Sequence, residues 1–340
     1  MSVSNETRVT YFILLGLSSD PGLQIVFAIL FVVIYLLTVS GNLLIVVTIY
    51  ADSHLHSPMY FFLSHLSFLD LTFSTVTVPR AIVNFLSESK TISFSDCIAQ
   101  LFFFHFIGCV ECFHLTLMAY DRYVAICNPL RYTTIMNRRF CLLLVFSTWV
   151  GGFIHSFIQA FLTVQLPFCG PNEIDHFFCD VQPLSLLACS TIFINESIEI
   201  ANTGSISLGC FLVVSISYAY IISTILKMRS SEGRRKAFST CASHLLVVTL
   251  FFGPCVFIYM RPSVTFTADK QISVFYTIMT PWLNPVIYTL RNEEVKKSMM
   301  RLGGRKNLGM RVCHQGMWEG VSTHTISLLA RFELWAGERF

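Results

Sequence analysis

Met118-Ala119-Tyr120-Asp121-Arg122-Tyr123-Val124-Ala125-Ile126-Cys127 closes a long apolar run that begins near Phe94. An Asp-Arg pair therefore stands where a membrane helix would leave the bilayer. At the hydrocarbon centre such a pair would cost several kcal/mol, whereas at the interface it can face water or a partner protein. For an arbitrary membrane protein the plainest reading is an interfacial salt bridge. The rest of the chain decides whether more is built on it.

Composition places that stretch in a membrane. Of 340 residues, 54% are hydrophobic and 13% charged, and the mean hydropathy is +0.63. Soluble domains carry about 25% charged residues. The 32 Phe residues fit, because apolar surface that faces lipid carries no penalty. A net charge of +3, with no basic run interleaved with aromatics, argues against a nucleic-acid partner.

Seven apolar segments follow one another: Leu23–Ala51, about Ser57–Leu86, about Phe94–Ile126, Phe140–Thr163, about Ile198–Leu226, Ala237–Tyr259 and Ile272–Leu290. Each approaches or exceeds the roughly 20 residues that a spanning helix needs. The odd number argues against a transporter made of two equal inverted halves, the main rival reading. Basic residues set the orientation. Arg131, Arg138 and Arg139 follow the third span, and Lys227, Arg229, Arg234, Arg235 and Lys236 follow the fifth. Arg291, Lys296, Lys297, Arg301, Arg305 and Lys306 follow the seventh, while the opposite side carries Arg8, Lys90, Arg261 and Lys270. The N-terminus is thus expected outside and the C-terminus inside.

The first residues do not read as a cleavable signal peptide, so the first span is expected to direct its own insertion. Asn5-Glu6-Thr7 is a glycosylation sequon on the outer side. Residues 1–22 read as an extracellular segment, 23–302 as the helical domain, and 303–340 as a disordered cytoplasmic tail. Within the helical domain 292–302 reads as a short amphipathic helix after the seventh span, with Val295, Met299 and Leu302 on one face. The longest connection, Val164–Asn195, holds Cys169, Cys179 and Cys189, and Cys97 stands at the outer end of the third span. These cysteines suggest two bridges, for which sequence alone allows three pairings. The remaining eight of the 12 read as free.

Ionisable groups inside a bilayer are functional candidates because burying them is costly. Asp70 and Glu111 are such groups at similar depth, and Asn42 and Asn284 are expected to complete their site. Two readings stand: a sodium or proton site, or a polar network that locks helices with one acid protonated. Higher on the third span, Phe104, His105, Gly108, Cys109 and Cys112 share one helical face. Asn202 and Ile206 on the fifth span, with Phe252, Cys255, Val256 and Tyr259 on the sixth, could complete a cavity, although ordinary helix packing explains any single residue as well. No zinc-like spacing, phosphate loop or catalytic constellation occurs, so neither an enzyme nor a bound cofactor or metal is expected.

Four further motifs lie in order along the spans. They are Gly41-Asn42, Leu55-His56-Ser57-Pro58-Met59-Tyr60-Phe61-Phe62-Leu63, Lys236-Ala237-Phe238-Ser239-Thr240-Cys241-Ala242-Ser243-His244, and Pro281-Trp282-Leu283-Asn284-Pro285-Val286-Ile287-Tyr288-Thr289-Leu290-Arg291-Asn292. With Met118–Cys127 they resemble the odorant receptors of the rhodopsin-like G-protein-coupled receptor family. The loop pattern Cys169…Ile174-Asp175-His176-Phe177-Phe178-Cys179-Asp180 resembles their tetrapod-type class. The sequence departs from the family at Phe251-Phe252-Gly253, where a Tyr is common, and in the tail beyond Gly303.

The resemblance implies an all-α seven-transmembrane helix bundle in the plasma membrane that binds a small volatile odorant and activates a stimulatory heterotrimeric G protein, raising cyclic AMP. It implies a Cys97–Cys179 bridge, which leaves Cys169–Cys189 within the loop. It assigns coupling to Arg122, restrained at rest by Asp121. The base of the sixth span offers Arg234-Arg235-Lys236 in place of the acid common in rhodopsin-like receptors, so the restraint leans on Asp121, Thr240 or Tyr218. Tyr123, Asn284, Pro285 and Tyr288 are the accompanying switch residues, Pro285 permitting a kink. Phe104 stands where amine receptors keep an acid, which implies a neutral ligand. The Tyr259 hydroxyl is then expected to meet a ligand oxygen, and its loss to spare hydrocarbons.

Overall fold

The computed structural model describes residues 9–168, 172–189, 197, 199–260 and 269–305. The chain divides into two compact units, 1–295 and 296–340. Among the described residues of the first, seven long helices form a bundle: α1 (Pro21–Ala51), α2 (Pro58–Leu86), α3 (Phe94–Cys127), α4 (Arg138–Val164), α5 (Ile200–Leu226), α6 (Ser231–Tyr259) and α7 (269–291). The first six run 27 to 34 residues. At 1.5 Å per residue they exceed a hydrocarbon core of about 30 Å. The seventh is pieced together from Asp269–Val274, a π turn Phe275–Met279 and Thr280–Arg291.

Local chemistry marks the helix starts. Asp20 accepts the Leu23 amide at 2.9 Å ahead of Pro21, Ser93 accepts that of Asp96 at 3.0 Å, and Asn137 accepts that of Phe140 at 3.0 Å. Ser230 accepts the Gly233 amide at 3.2 Å, so α6 starts ahead of the apolar run expected from Ala237. Hydropathy marks where a helix enters lipid, whereas the cap marks where it begins.

The helix α3 is the axis of the bundle and the most enclosed, while α1 and the outer faces of α4 and α5 present their side chains outward. Side chains such as Leu36, Phe146, Phe157 and Ile216 stay exposed, as a lipid solvent allows. A Cβ at Gly152 would meet Val110 Cγ2 at 2.5 Å and the Phe106 carbonyl at 3.1 Å, so the backbones of α3 and α4 touch there.

One end of the bundle carries a lid that the sequence did not foretell. Its three strands, β1 (Tyr11–Leu14), β2 (Thr91–Ser93) and β3 (Glu173–Ile174), form a sheet in the order β2-β1-β3. Tyr11 pairs with Ser93 in the antiparallel ladder and Ile13 with Glu173 in the parallel one. Phe12, Leu14, Ile92 and Ile174 are buried with Leu101, Val181, Leu184 and the Cys97–Cys179 disulfide, whose Cα atoms lie 5.5 Å apart. Strands this short carry no signal of their own and exist through their partners. Cys189 is disulfide-bonded, and Cys169, its expected partner, lies outside the described residues. So do Asn5 and the segment 306–340. After α7 a further helix, α8 (Glu293–Arg305), starts at Asn292, whose Oδ1 accepts the Glu294 and Val295 amides at 3.1 and 3.2 Å.

Candidate functional site

Below the lid, among helices α2 to α7, lies a cavity. The third helix contributes Phe104, His105, Gly108, Cys109 and Cys112, as its shared face implied. The fifth contributes Thr203, Ile206 and Ser207, and the sixth Phe251, Cys255 and Tyr259. Phe73, His155 and Tyr276 close it from α2, α4 and α7. The rings of Phe73 and Phe104 stack at 5.1 Å, and Phe178 of the lid covers Phe104 at 4.6 Å.

Asn202, Phe252 and Val256, expected on this wall, are not on it. The first turn of α5 is a π turn, Ile200–Gly204, and Thr203 within it stands three and four residues before Ile206 and Ser207 and shares their face. Asn202 turns toward α4 instead. Its Oδ1 meets His155 Nδ1 at 3.1 Å, and its Nδ2 donates to Gln159 Oε1 at 2.7 Å. On α6 the lining residues Phe251, Cys255 and Tyr259 recur at four-residue steps. Phe252 and Val256 fall on the neighbouring face, with Phe252 against Phe211. Phe73, His155, Thr203, Ser207, Phe251 and Tyr276 escaped the sequence reading, because facing across a bundle leaves no mark on single-helix periodicity.

Asp180 of the lid is the electrostatic centre of this end. It is buried, and its Oδ1 accepts from His105 Nε2 at 3.0 Å and from the Val181 amide at 2.7 Å. Its Oδ2 accepts the Tyr259 hydroxyl at 2.8 Å, and that hydroxyl also lies 3.3 Å from Tyr276. Burial alone would raise the Asp180 carboxyl, but the hydrogen bonds from His105 and Tyr259 and the attraction of His105 and His176 hold it below the usual range. The carboxylate is therefore ionised and fully engaged. His176 of the lid is pushed down to about 4 by burial. Its Nδ1 accepts the Phe178 amide at 3.4 Å, and its Nε2 lies 3.3 Å from Ser273 Oγ on α7. Gln100 of α3 accepts the Cys179 amide at 3.0 Å, and Lys270 pairs with Asp175 at 2.5 Å. These contacts bind the lid to the helices on several sides.

Beneath the cavity, Asn284 Nδ2 donates to both oxygens of Asp70 at 2.9 and 3.0 Å. Asn42 does not join them. Its Nδ2 donates to the Thr38 and Pro281 carbonyls, both at 3.0 Å, and so ties α1 to α7. Glu111 is buried within electrostatic reach of Asp70, and both its oxygens lack a hydrogen-bond partner. Among the described residues no group of three or more His, Cys, Asp or Glu is arranged to hold a metal ion.

At the far end, Asp121 is engaged by a tyrosine and lies within electrostatic reach of Arg122. Its Oδ1 accepts the Tyr132 hydroxyl at 2.9 Å, and no ion pair with Arg122 is present among the described residues. The short helix Tyr132–Ile135 brings that hydroxyl back under α3, a contact invisible in local sequence. Tyr218 is bonded to His244 at 2.8 Å rather than to Arg122. Arg122 lies within electrostatic reach of Tyr218, Cys241, His244 and Tyr288.

A seven-helix bundle with a lidded cavity, a polar hub beneath it and an arginine at the far end has the architecture of a rhodopsin-like receptor. Comparison with known proteins narrows the class. The family model described as olfactory receptor matches residues 31–306. Olfactory receptor 4E2 of Mus musculus is 56% identical over 306 residues, covering 90% of this chain and 99% of that protein. Olfactory receptors 4S2 and 4Q3 of Homo sapiens are each 56% identical, over 298 and 303 residues, covering 88% and 89% of this chain and 96% of each relative. The chain belongs to the olfactory receptor family.

Proposed function

We propose that this receptor binds a small, neutral, mostly apolar volatile compound in the cavity and activates a stimulatory heterotrimeric G protein, raising cyclic AMP. One observation carries the ligand class. The wall is largely apolar with no acid among its lining residues, and Asp180, which touches two of them, is already engaged by His105, Tyr259 and a backbone amide. An ammonium would be desolvated without a free partner, which costs more than a hydrogen bond returns. A hydrocarbon body gains roughly 25 cal/mol per Å² of apolar area buried. With about ten heavy atoms such a ligand binds in the micromolar range, because small ligands have limited binding energy to offer.

The distribution of basic residues supports an orientation with the lid outside and Arg122 facing the cytoplasm. Coupling is assigned to Arg122, with Asp121, Tyr123, Tyr218, Pro285 and Tyr288 as its switch. Asp70, Glu111 and Asn284 are the hub between cavity and switch, where the free acceptors of Glu111 and Asn284 suit a proton or a sodium ion. Binding and coupling are separate sites linked through one helix arrangement, so each can fail alone. Arg122→Ala, compared with wild type at equal surface level, is expected to keep agonist binding and lose the cyclic AMP response. A wild-type cyclic AMP signal from that variant removes Arg122 from the coupling site.

A further inference from the structure

Threonines in helices usually give their hydroxyl to the carbonyl three or four residues back. This chain follows that habit: Thr38, Thr72, Thr75, Thr116, Thr163, Thr224, Thr249 and Thr277 all donate to the carbonyl of residue i−4. Thr203 does not. Its Oγ1 is buried and without a hydrogen-bond partner, and the residue lines the cavity. Thr77 of α2 shares the lack of a partner but does not line the cavity.

Thr203 lies in the π turn Ile200–Gly204, but such a turn does not by itself free a hydroxyl, since Thr277 in the π turn Phe275–Met279 still donates to the Ser273 carbonyl at 2.6 Å. Ser205, two positions on, reaches the carbonyl of Ile200 at 3.2 Å, five residues back. The turn is held in place by a close approach: a Cβ at Gly204 would lie 2.6 Å from the Tyr259 carbonyl, so α5 and α6 pack backbone to backbone there. Every other hydroxyl on the wall is committed. Ser207 donates to the Thr203 carbonyl at 3.0 Å, Tyr259 to Asp180, and Tyr276 lies against Tyr259.

We infer that Thr203 is the polar anchor of the cavity, donating to a single acceptor oxygen on the ligand, and that the preferred ligands are small neutral carbonyl or ether compounds. A buried O–H without an acceptor carries an unmet donor, and a ligand oxygen meets it at no cost in charge. The inference rests on the reading of the cavity as the ligand site and adds to it the group that the ligand must present.

The test uses the full-length receptor in cells, with surface level measured, and a panel of C6–C10 ketones, esters and ethers beside hydrocarbons of the same carbon skeleton. Thr203→Val, isosteric but without a donor, is expected to raise the half-maximal concentration of oxygenated agonists about 3- to 10-fold while leaving hydrocarbon agonists unchanged. Thr203→Ser is expected to restore the oxygenated agonists. Unchanged potencies in Thr203→Val, as a trapped water on Oγ1 would give, overturn the inference, and so does an equal loss for both ligand classes. Gly108→Phe, which fills the cavity, separates this from the broader reading. Agonists that survive it bind elsewhere, whereas their loss in that variant with normal potency in Thr203→Val leaves the cavity standing and removes only the anchor. A panel with no agonist at all on the surface-expressed wild type overturns both.

Discussion

Asp180 changes what can be asked of Tyr259. A phenol on the wall of an apolar cavity invites the role of ligand donor, yet its proton goes to a buried carboxylate at 2.8 Å. Its removal therefore leaves an ionised oxygen without its donor, at a cost of about 1–3 kcal/mol. Tyr259→Phe is expected to lower the melting temperature of the purified receptor and to weaken hydrocarbon and oxygenated agonists alike. A loss confined to oxygenated agonists, with unchanged melting, would return Tyr259 to the ligand and set Asp180 aside. His105 shares this position, since its Nε2 holds the other carboxylate oxygen.

At the scale of elements, the lid is where acid should act first. His176 has an ordinary value of 6.5 and sits at about 4 in the fold, because burial disfavours its charged form. Between those values the unfolded chain binds a proton that the folded chain refuses, so stability is full above pH 6.5 and falls as pH drops toward 4. The slope approaches 1.4 kcal/mol per pH unit, or about 2 kcal/mol lost by pH 5. Protonation also removes the Nδ1 lone pair that accepts the Phe178 amide. Asp180, held low, adds its own acid sensitivity only below the usual carboxylate range, outside this window. Melting curves of the purified receptor at pH 7.5 and 5 should separate more for wild type than for His176→Gln. Equal separations would place the acid sensitivity elsewhere.

For the molecule as a whole, the family match ends at residue 306, and the mouse relative is covered over 99% of its length by 306 residues of this chain. Everything proposed for ligand, hub and switch lies before that point. Truncation after Lys306 is thus expected to leave surface level and cyclic AMP response unchanged. A truncated receptor that reaches the surface and fails to signal would give the last residues a role that the relatives manage without.

Hydropathy and charge determined the number of spans, because leaving water is a property of local composition. Helical periodicity likewise determined which face of α3 meets the cavity, since a regular helix carries its register along the chain. The pairing of Cys97 with Cys179 followed from resemblance and is present in the fold. What only the tertiary structure decided is non-local or depends on a break in register. The strands of the lid have partners some 80 residues apart or more. Asp180 gathers His105 and Tyr259 from two helices, and Tyr132 captures the acid expected to restrain Arg122. On α5 the wall holds Thr203, in the π turn, in place of Asn202. Such a turn is stabilised by packing against α6 at Gly204, and packing between helices is not written in the spacing of either one.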